Sequence, residues 1–298
     1  MLSLTEIINK IPPIKIIGSS TINITEVIKF DSLNTNPNAI CWVNEKNIEK
    51  VYSFTTGVII CPNTVDELKL PVNCTFLLYI NSRKAFQDLL INFFVEKKPN
   101  EFISSSAYIG KNVNIGKNVY IGHNTVIEDD VEIGDNVIIV NNNSILSKTI
   151  IKNNVQIGSN NTIGGVGFGY EKDEDGKYQV IPHIGNVIIN EFVEIGNNTC
   201  IDRAVLGSTV LEQNCKIDNL VHIAHGVIVG ENSLVIAHAI IGGSTRIGKN
   251  CWIAPNASVI NGITIGDNVT VGLAAVVVKS INDNQIVVGN PAKPIIKK

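Results

Sequence analysis

The amino-acid sequence predicts a mainly β protein, in which a small α/β domain precedes a three-sided parallel β-helix. A six-residue pattern recurs through most of residues 107–280, apolar and polar residues alternate inside each unit, and Gly and Asn recur where the units join. Residues 1–100 lack the pattern and are expected to form the separate domain, with residues 101–298 forming the β-helix.

Copies of the repeat include VNIGKN from Val113, VEIGDN from Val131 and ITIGDN from Ile263. The first and third positions are apolar and the second is polar, as in a strand with one buried face. Gly and Asn accept left-handed backbone angles, so they are expected to turn the chain after each short strand. Three turns close a coil of 18 residues, and each strand should pair in parallel with the strand one coil later, over ~nine coils.

The repeat has one long interruption, at residues 164–185. Before it, the frame holds from 107 to 166; after it, a second block opens at Val187, slips by two residues between Val205 and Thr209, and continues to Ser280. The inserted GGVGFGYEKDEDGKYQVIPHIG is expected to leave the prism as a loop and to return along a strand at 178–181. Long ordered loops are commonly functional, and a plain surface excursion is the alternative.

Four apolar runs in the first hundred residues predict short strands: KIIGSS, AICWVN, GVIICPN and TFLLYI. The segment SRKAFQDLLINFFVEK has helical spacing, and the helix should stop before Pro99. Such an α/β module could cover a ligand on the prism surface or could simply stabilise the chain.

Composition excludes several classes of function. The chain is 44% hydrophobic and 17% charged with a net charge of −3, which gives no reason to expect a nucleic-acid or anionic-membrane partner. We find no secretory signal and no membrane span, so a cytoplasmic protein is expected. The six cysteines show neither paired nor metal-binding spacing; Cys215 and Cys251 share a column two coils apart and should be core residues.

His225, in the segment VHIAHG, is the candidate catalytic base. Adding 18 places Gly243 one coil above it, where a backbone N–H is exposed without a side chain. A base beside such a donor suits the deprotonation of an amine and the stabilisation of the oxyanion formed when that amine attacks a thioester. The alternative is a surface histidine at a corner of the prism.

The other four histidines carry less weight. His222 should lie on the outward face of a strand and His238 at a later corner, while His123 and His183 are expected to be solvated. A zinc site would need three well-placed ligands, and the spacings of His222, His225 and His238 do not resemble those of prism-shaped carbonic anhydrases; no metal is expected. No cysteine or serine is visibly paired with a base, so direct attack by the acceptor amine is favoured.

The stretch 167–225 resembles the UDP-3-O-acylglucosamine N-acyltransferases of lipid A synthesis, hexapeptide-repeat acyltransferases. GFGY, the IDR at 201–203, and IDN followed by IAH carry the likeness. The resemblance implies a left-handed coil, a role for His225 as base, and oxyanion stabilisation by the Gly243 amide. It also implies that Phe168, Tyr170 and His222 contact a nucleotide sugar, while Asp202 and Arg203 are either structural or substrate-facing.

The segment AICWVNEKN in the first domain is similar to the part of that family that holds uridine diphosphate. Asn44 and Lys46 match, whereas Cys41 and Asn47 stand where the family has two aromatic residues that sandwich uracil; Trp42 lies nearby. Stacking on aromatic rings accounts for much base affinity, so UDP and dTDP both stay open as the nucleotide.

The end of the sequence points to a different acyl donor. VGNPAKPI resembles the ending of hexapeptide acetyltransferases that use coenzyme A, and Lys249 and Lys293 could meet its phosphates. The family's helical tail, which receives acyl carrier protein, is not found after Lys298, and its second functional histidine is Ile263 here. These departures favour an acetyl- or short hydroxyacyl-coenzyme A donor.

The sequence therefore predicts a homotrimeric N-acyltransferase that transfers an acyl group from coenzyme A to a nucleotide-linked amino sugar, without a permanently bound cofactor. The first alternative is the lipid A enzyme itself, with acyl carrier protein as donor and UDP-3-O-acylglucosamine as acceptor. A non-enzymatic scaffold is the alternative from another class.

Overall fold

The computed structural model describes residues 2–30, 36–95 and 101–295. The chain divides into two compact units, residues 1–97 and 98–298. Within the described residues, no helix is long and apolar enough to cross a membrane.

The first unit is built on a mixed five-stranded sheet, counted over its described residues. The order across the sheet is Lys15–Ile17, Cys74–Tyr79, Gly57–Pro62, Ala39–Trp42 and Glu26–Val27. The edge strand Lys15–Ile17 is antiparallel to its neighbour and the other pairs are parallel. The four strands predicted from the apolar runs are all present.

One helix of this unit escaped the periodicity argument. It spans Leu4–Lys10 and begins at a capping box, in which the Ser3 hydroxyl accepts from the Glu6 N–H and the Glu6 carboxylate accepts from the Ser3 N–H. That Ser-x-x-Glu spacing is readable in sequence and was the missed signal. The short strand Leu2–Ser3, which precedes this helix, pairs in antiparallel with Asn23–Ile24.

The predicted helix at 82–97 is shorter than its pattern. An α-helix spans Ser82–Leu89 and passes into a π-helical turn at Leu90–Phe94; Pro99 lies outside the described residues. Two 3₁₀ segments, Glu45–Ser53 and Glu67–Lys69, complete the helices described here.

The second unit is a three-sided prism of very short strands, which form three sheets. The first sheet runs Asn114–Ile115, Glu132–Ile133, Ile150–Ile151, Asn186–Ile189, Ser208–Leu211, Ile228–Val229, Arg246–Ile247 and Thr264–Ile265. The second runs Phe102–Ile103, Tyr120–Ile121, Ile138–Ile139, Gln156–Ile157, Glu194–Ile195, Lys216–Ile217, Leu234–Val235, Trp252–Ile253, Thr270–Val271, Ile286–Val288 and Lys293–Pro294. The third runs Tyr108–Ile109, Val126–Ile127, Ser144–Ile145, Thr162–Val166, Cys200–Arg203, His222–Ile223, Ile240–Ile241, Ser258–Val259 and Val276–Val277.

The regular coils have the predicted parallel register. Glu132, for example, pairs with Ile150, 18 residues on, because the apolar positions of successive coils stack inside the prism. The interior column is almost entirely Ile and Val, and Cys215 and Cys251 are buried in it as expected. Removing these side chains from water is the main stabilising contribution to such a fold. The strand Phe102–Ile103 starts the prism one unit before the predicted first repeat.

Asn and Gly have different tasks at the corners, which corrects the common role predicted for them. Asn118 has φ of 56°, the left-handed conformation that turns the chain, and most other units end in the same way. Gly116 does not have a positive φ; a Cβ there would lie 2.6 Å from the carbonyl carbon of Gly134 in the next coil. Corner glycines are therefore required by the close stacking of coils.

Two breaks in the register place extra chain on the third sheet. Thr162 pairs with Cys200 across the long excursion, and the excursion contains an antiparallel hairpin of Tyr170–Lys172 with Tyr178–Val180. The return strand is thus confirmed, ending at Val180. The next coil is longer by four residues than the regular ones, since Asn186 pairs with Ser208. Gly167 and His183 of the excursion lie against His225, and Thr209, which follows the second break, accepts a hydrogen bond from the Gly226 N–H.

Candidate active site

Three of the prism's functional candidates, Asp202, His222 and His225, lie together where the excursion rejoins the prism. Strand Cys200–Arg203 carries Asp202, and the neighbouring strand His222–Ile223 leads into the corner at His225. Both strands belong to the third sheet, so their outward side chains stand in one row. His183 reaches the same place from the excursion.

Gly243 lies directly against the His225 imidazole. A Cβ on Gly243 would stand 2.7 Å from His225 Nε2 and 2.8 Å from its Cε1. The 18-residue spacing predicted this placement, and the contact explains why glycine is needed. Any larger residue would have to displace the ring.

The Gly243 N–H is free to bind a ligand. At equivalent corners, an Asp or Asn of the next coil accepts from this N–H, as Asp267 Oδ1 does from Lys249 at 2.7 Å. No atom of the described residues accepts from the Gly243 N–H, although Gly243 is buried. Buried backbone donors are nearly always paired, so a partner from outside the chain is indicated.

His183 is buried, which corrects the prediction that it is solvated. Only 6% of it is exposed, and its Nδ1–H donates to the Ile181 carbonyl over 2.7 Å. Its Nε2 is buried without a hydrogen-bond partner in the described residues. The ring meets that of His225 edge to face, with centres 5.2 Å apart.

Asp202 is the acidic member of the cluster. Its Oδ2 lies 3.6 Å from His222 Nε2, and only 14% of its side chain is exposed. Burial raises the pKa of the Asp202 carboxyl above its ordinary value, against the opposing effect of His222, His225 and His183. Desolvation disfavours the charged carboxylate, and His222 makes the largest contribution that opposes this effect.

Burial also determines the protonation of His225. It lowers the pKa of the His225 imidazole below its ordinary value, charge on His183 lowers it further, and Asp202 opposes both. The His225 side chain makes no hydrogen bond in the described residues. At neutral pH the ring is therefore unprotonated, the form that can accept a proton.

Arg203, left open as structural or substrate-facing, holds the root of the excursion. Its Nε donates to the Gly164 carbonyl over 2.6 Å, and its Nη2 donates to the Ser147 carbonyl over 3.2 Å. Gly164 lies on the adjacent strand, where the excursion leaves the prism, and Ser147 follows the strand beyond it. The guanidinium therefore has a structural task.

Replacing Arg203 with Ala is expected to lower the free energy of unfolding by about 1–3 kcal/mol, because the buried Gly164 carbonyl loses its donor. Urea unfolding measures the effect, with Arg246→Ala on an exposed strand position as control. Unchanged unfolding together with a raised KM would instead place Arg203 on the substrate.

The aromatic residues of the excursion contact one another. Phe168 is 87% exposed and packs on Tyr170, with ring centres 4.9 Å apart. Tyr170 in turn contacts Tyr178 across the hairpin. Their predicted role in holding a nucleotide sugar stays a prediction.

The nucleotide-site candidates belong to the other unit. Trp42 stacks on Phe86 at 5.4 Å and donates its indole N–H to Ser82, so one ring face is already covered. Asn44 caps the following 3₁₀ segment, since its Oδ1 accepts from the Asn47 N–H. Lys46 is exposed.

Cys41, at a position where the family has an aromatic residue, lies in the core, and burial raises the pKa of its thiol to about 12. It is therefore an inert packing residue and offers no stacking surface.

Lys249 and Lys293, which were predicted to contact the phosphates of coenzyme A, have different surroundings. Lys249 pairs with Glu231 at 3.1 Å, which raises its pKa, whereas Lys293 lies in the last strand of the second sheet. Their predicted contact with phosphates stays a prediction. Among residues 2–30, 36–95 and 101–295, no group of three His, Cys, Asp or Glu side chains is arranged to hold a metal ion.

Comparison with known proteins places this site in context. The family profile for the bacterial transferase hexapeptide matches residues 244–277, and that for the GMPPB C-terminal domain matches residues 97–169. The solved UDP-N-acetylglucosamine acyltransferases of Francisella novicida and Campylobacter jejuni each have a TM-score of 0.60. They are 22% and 23% identical, and the alignments cover 65% of this chain and 70% and 74% of theirs. This likeness shows the left-handed β-helix fold.

Curated relatives are much closer in sequence. UDP-3-O-acylglucosamine N-acyltransferase of Campylobacter lari is 46% identical over 211 residues, 67% of this chain and 66% of that protein. A Legionella pneumophila enzyme of the same name is 55% identical over 130 residues, 44% of this chain and 38% of that protein. One from Francisella tularensis is 54% identical over 86 residues, 28% of this chain and 25% of that protein.

The match thus spans a quarter of the Francisella protein and just under two thirds of the Campylobacter one. The match to the hexapeptide profile and the three-sheet prism are both consistent with a hexapeptide-repeat protein. The chain carries the hexapeptide repeat of bacterial transferases, and the curated proteins to which it is similar are named UDP-3-O-acylglucosamine N-acyltransferases.

Proposed function

We propose that this protein transfers an acyl chain from a thioester to the amine of a UDP-linked amino sugar of the UDP-3-O-acylglucosamine type. The observation that carries the proposal is the contact between the His225 ring and Gly243, whose N–H has no partner in the described residues. A base and an oxyanion donor within reach of one reacting centre are what this reaction needs.

The reaction follows from these two groups. The neutral amine attacks the thioester carbonyl carbon while His225 Nε2 accepts the proton that the nitrogen loses. The oxygen of the tetrahedral intermediate carries negative charge and accepts a hydrogen bond from the Gly243 N–H. When the carbon–sulfur bond breaks, the proton on His225 passes to the departing thiolate, which leaves an amide and a free thiol.

The curated relatives favour acyl carrier protein, rather than coenzyme A, as the carrier of the acyl donor. They are named UDP-3-O-acylglucosamine N-acyltransferases, which supports the lipid A acceptor and a carrier-bound hydroxyacyl chain over acetyl-coenzyme A. The coenzyme A reading rests on the VGNPAKPI ending and on Lys293. We therefore place the carrier thioester first.

A thiol-release assay decides between the donors. Hydroxyacyl carrier protein, 3-hydroxybutyryl-coenzyme A and acetyl-coenzyme A are each offered with UDP-3-O-acylglucosamine and with UDP- and dTDP-amino sugars. Turnover with the carrier thioester and UDP-3-O-acylglucosamine is expected. Turnover with acetyl-coenzyme A alone would support the coenzyme A-dependent N-acyltransferase instead. No turnover with any donor and acceptor pair would favour a non-enzymatic scaffold.

The rate should depend on pH through His225. Because burial lowers its pKa, kcat/KM is expected to rise with pH along a limb whose midpoint lies below the ordinary imidazole value of about 6.5. The charged or titratable groups that act on the ring are His183 and Asp202, and His222 lies beside Asp202. Asp202→Asn removes the carboxylate that opposes the shift, so its limb should move to lower pH; a move to higher pH would contradict the assignment.

A homotrimer belongs to the same proposal. Parallel prisms present flat sheets, and closed cyclic symmetry is the usual way to cover them. Sedimentation of the active protein tests this, and a fully active monomer would refute it.

A further inference from the structure

The buried Nε2 of His183 is the one side-chain N or O atom in the described residues that is fully buried without a hydrogen-bond partner. Since Nδ1–H donates to the Ile181 carbonyl, Nε2 carries the lone pair and is an acceptor. Leaving such an acceptor unpaired in the interior is destabilising. A nearby donor would remove that cost.

The nearest ring is that of His225. An N–H···N hydrogen bond of about 3 Å between two imidazoles separates their ring centres by about 5 Å. The centres of His183 and His225 are 5.2 Å apart. The distance between the ring centres therefore permits a hydrogen bond, although none is formed in the present orientation of the His225 ring.

Gly167 shows which edge of His225 faces His183. A Cβ on Gly167 would lie 2.8 Å from His183 Nε2 and 3.0 Å from His225 Cδ2, so the Cδ2 edge is the one turned toward the free lone pair. A half-turn of the ring exchanges Cδ2 with Nδ1. The two orientations have nearly the same shape, so the hydrogen bonds made decide between them.

The same half-turn leaves the catalytic edge in place. It exchanges Cε1 with Nε2, which lie 2.8 and 2.7 Å from the Cβ position of Gly243. Nε2 thus stays beside Gly243 in either orientation. Turning the ring satisfies His183 without moving the base away from the oxyanion donor.

We propose that His183 is the positioning residue of the site: the Nδ1–H of His225 donates to His183 Nε2, and the Nδ1–H of His183 donates to the Ile181 carbonyl. This inference rests on the proposed function. The chain of bonds fixes the tautomer of His225, directs its lone pair at the acceptor amine, and stabilises the ring when it takes the proton. Gly167 is needed between the rings because a side chain would separate them.

Two substitutions separate this role from plain packing. His183→Leu fills the space without an acceptor, whereas His183→Gln offers an amide oxygen that can accept from His225. His183→Leu is expected to lower kcat about 10- to 100-fold, with KM nearly unchanged, as when the partner that orients an imidazole is removed. Its acid limb should move to lower pH; the other group that acts on the His225 ring is Asp202, which His222 contacts. His183→Gln should restore most of the turnover.

Nitrogen NMR of the wild-type imidazoles tests the bond without turnover or variants. Both His183 and His225 should be Nδ1–H tautomers, with coupling between His225 Nδ1 and His183 Nε2. An Nε2–H tautomer at His225, or equal kinetics for His183→Leu and the wild type, would overturn the proposal. If no donor supports turnover, the proposed function fails while the NMR result still decides the role of His183.

Discussion

Replacing His225 with Ala is expected to lower kcat by about 10²- to 10⁴-fold, the usual contribution of a positioned general base. The substitution removes the ring that packs on Gly243 and also the proposed donor to His183 Nε2, so the protein should unfold somewhat more easily than the wild type but remain folded. Thiol release under saturating substrates measures the effect.

The matched control for this substitution is His238→Asn. His238 occupies a corner with φ of 62°, a conformation that Asn adopts at most other corners, so the imidazole is removed without strain. It should leave turnover unchanged. If His225→Ala and His238→Asn both retain full activity, His225 is a surface histidine and not the catalytic base.

Gly243→Ala is expected to lower kcat by about 10²- to 10³-fold, as for the loss of an oxyanion donor. The added methyl would lie 2.7 Å from His225 Nε2, so it must displace the base and also screen the N–H. The obstacle is a side chain, which can rotate away, so the fold should survive. Product formation and melting temperature are measured together.

Two other glycines of the third sheet serve as controls for that experiment, Gly165 beside Asp202 and Gly242 beside Gly243. At Gly165 a Cβ would meet its nearest atom at 3.6 Å, so Gly165→Ala should be active and stable. At Gly242 a Cβ would lie 2.5 Å from the Asn261 backbone nitrogen, so Gly242→Ala should unfold more easily. A Gly243→Ala variant as active as Gly165→Ala would remove the oxyanion donor from the account.

The regular repeat made much of this site predictable. Each side chain in a column has its neighbour 18 residues away, so the contact between His225 and Gly243 follows from arithmetic, as does the burial of Cys215 and Cys251. The spacing alone does not predict which corners are functional, because it places Asp267 over Lys249 in the same way. The side-chain types at the corner decide that question.

The excursion was beyond such reasoning. Its residues have no period, so nothing in the sequence indicated that the hairpin would fold His183 back against His225 and bury it. The stack of Trp42 on Phe86 depends likewise on a sheet and a helix meeting in space. The task of Arg203 became clear only when its acceptors, the Gly164 and Ser147 carbonyls, were located.

The most direct test of the account uses two acceptors that differ in a single atom group. The structural neighbours are named UDP-N-acetylglucosamine acyltransferases, while the curated relatives are N-acyltransferases. Mass spectrometry would follow acyl transfer from a hydroxyacyl thioester to UDP-3-O-acylglucosamine and to its analogue with a hydroxyl in place of the amine. We expect an amide product that disappears in His225→Ala and no ester from the analogue. An ester formed at a comparable rate, or an amide still formed by His225→Ala, would contradict the assignment of His225 as the base of an N-acyltransferase.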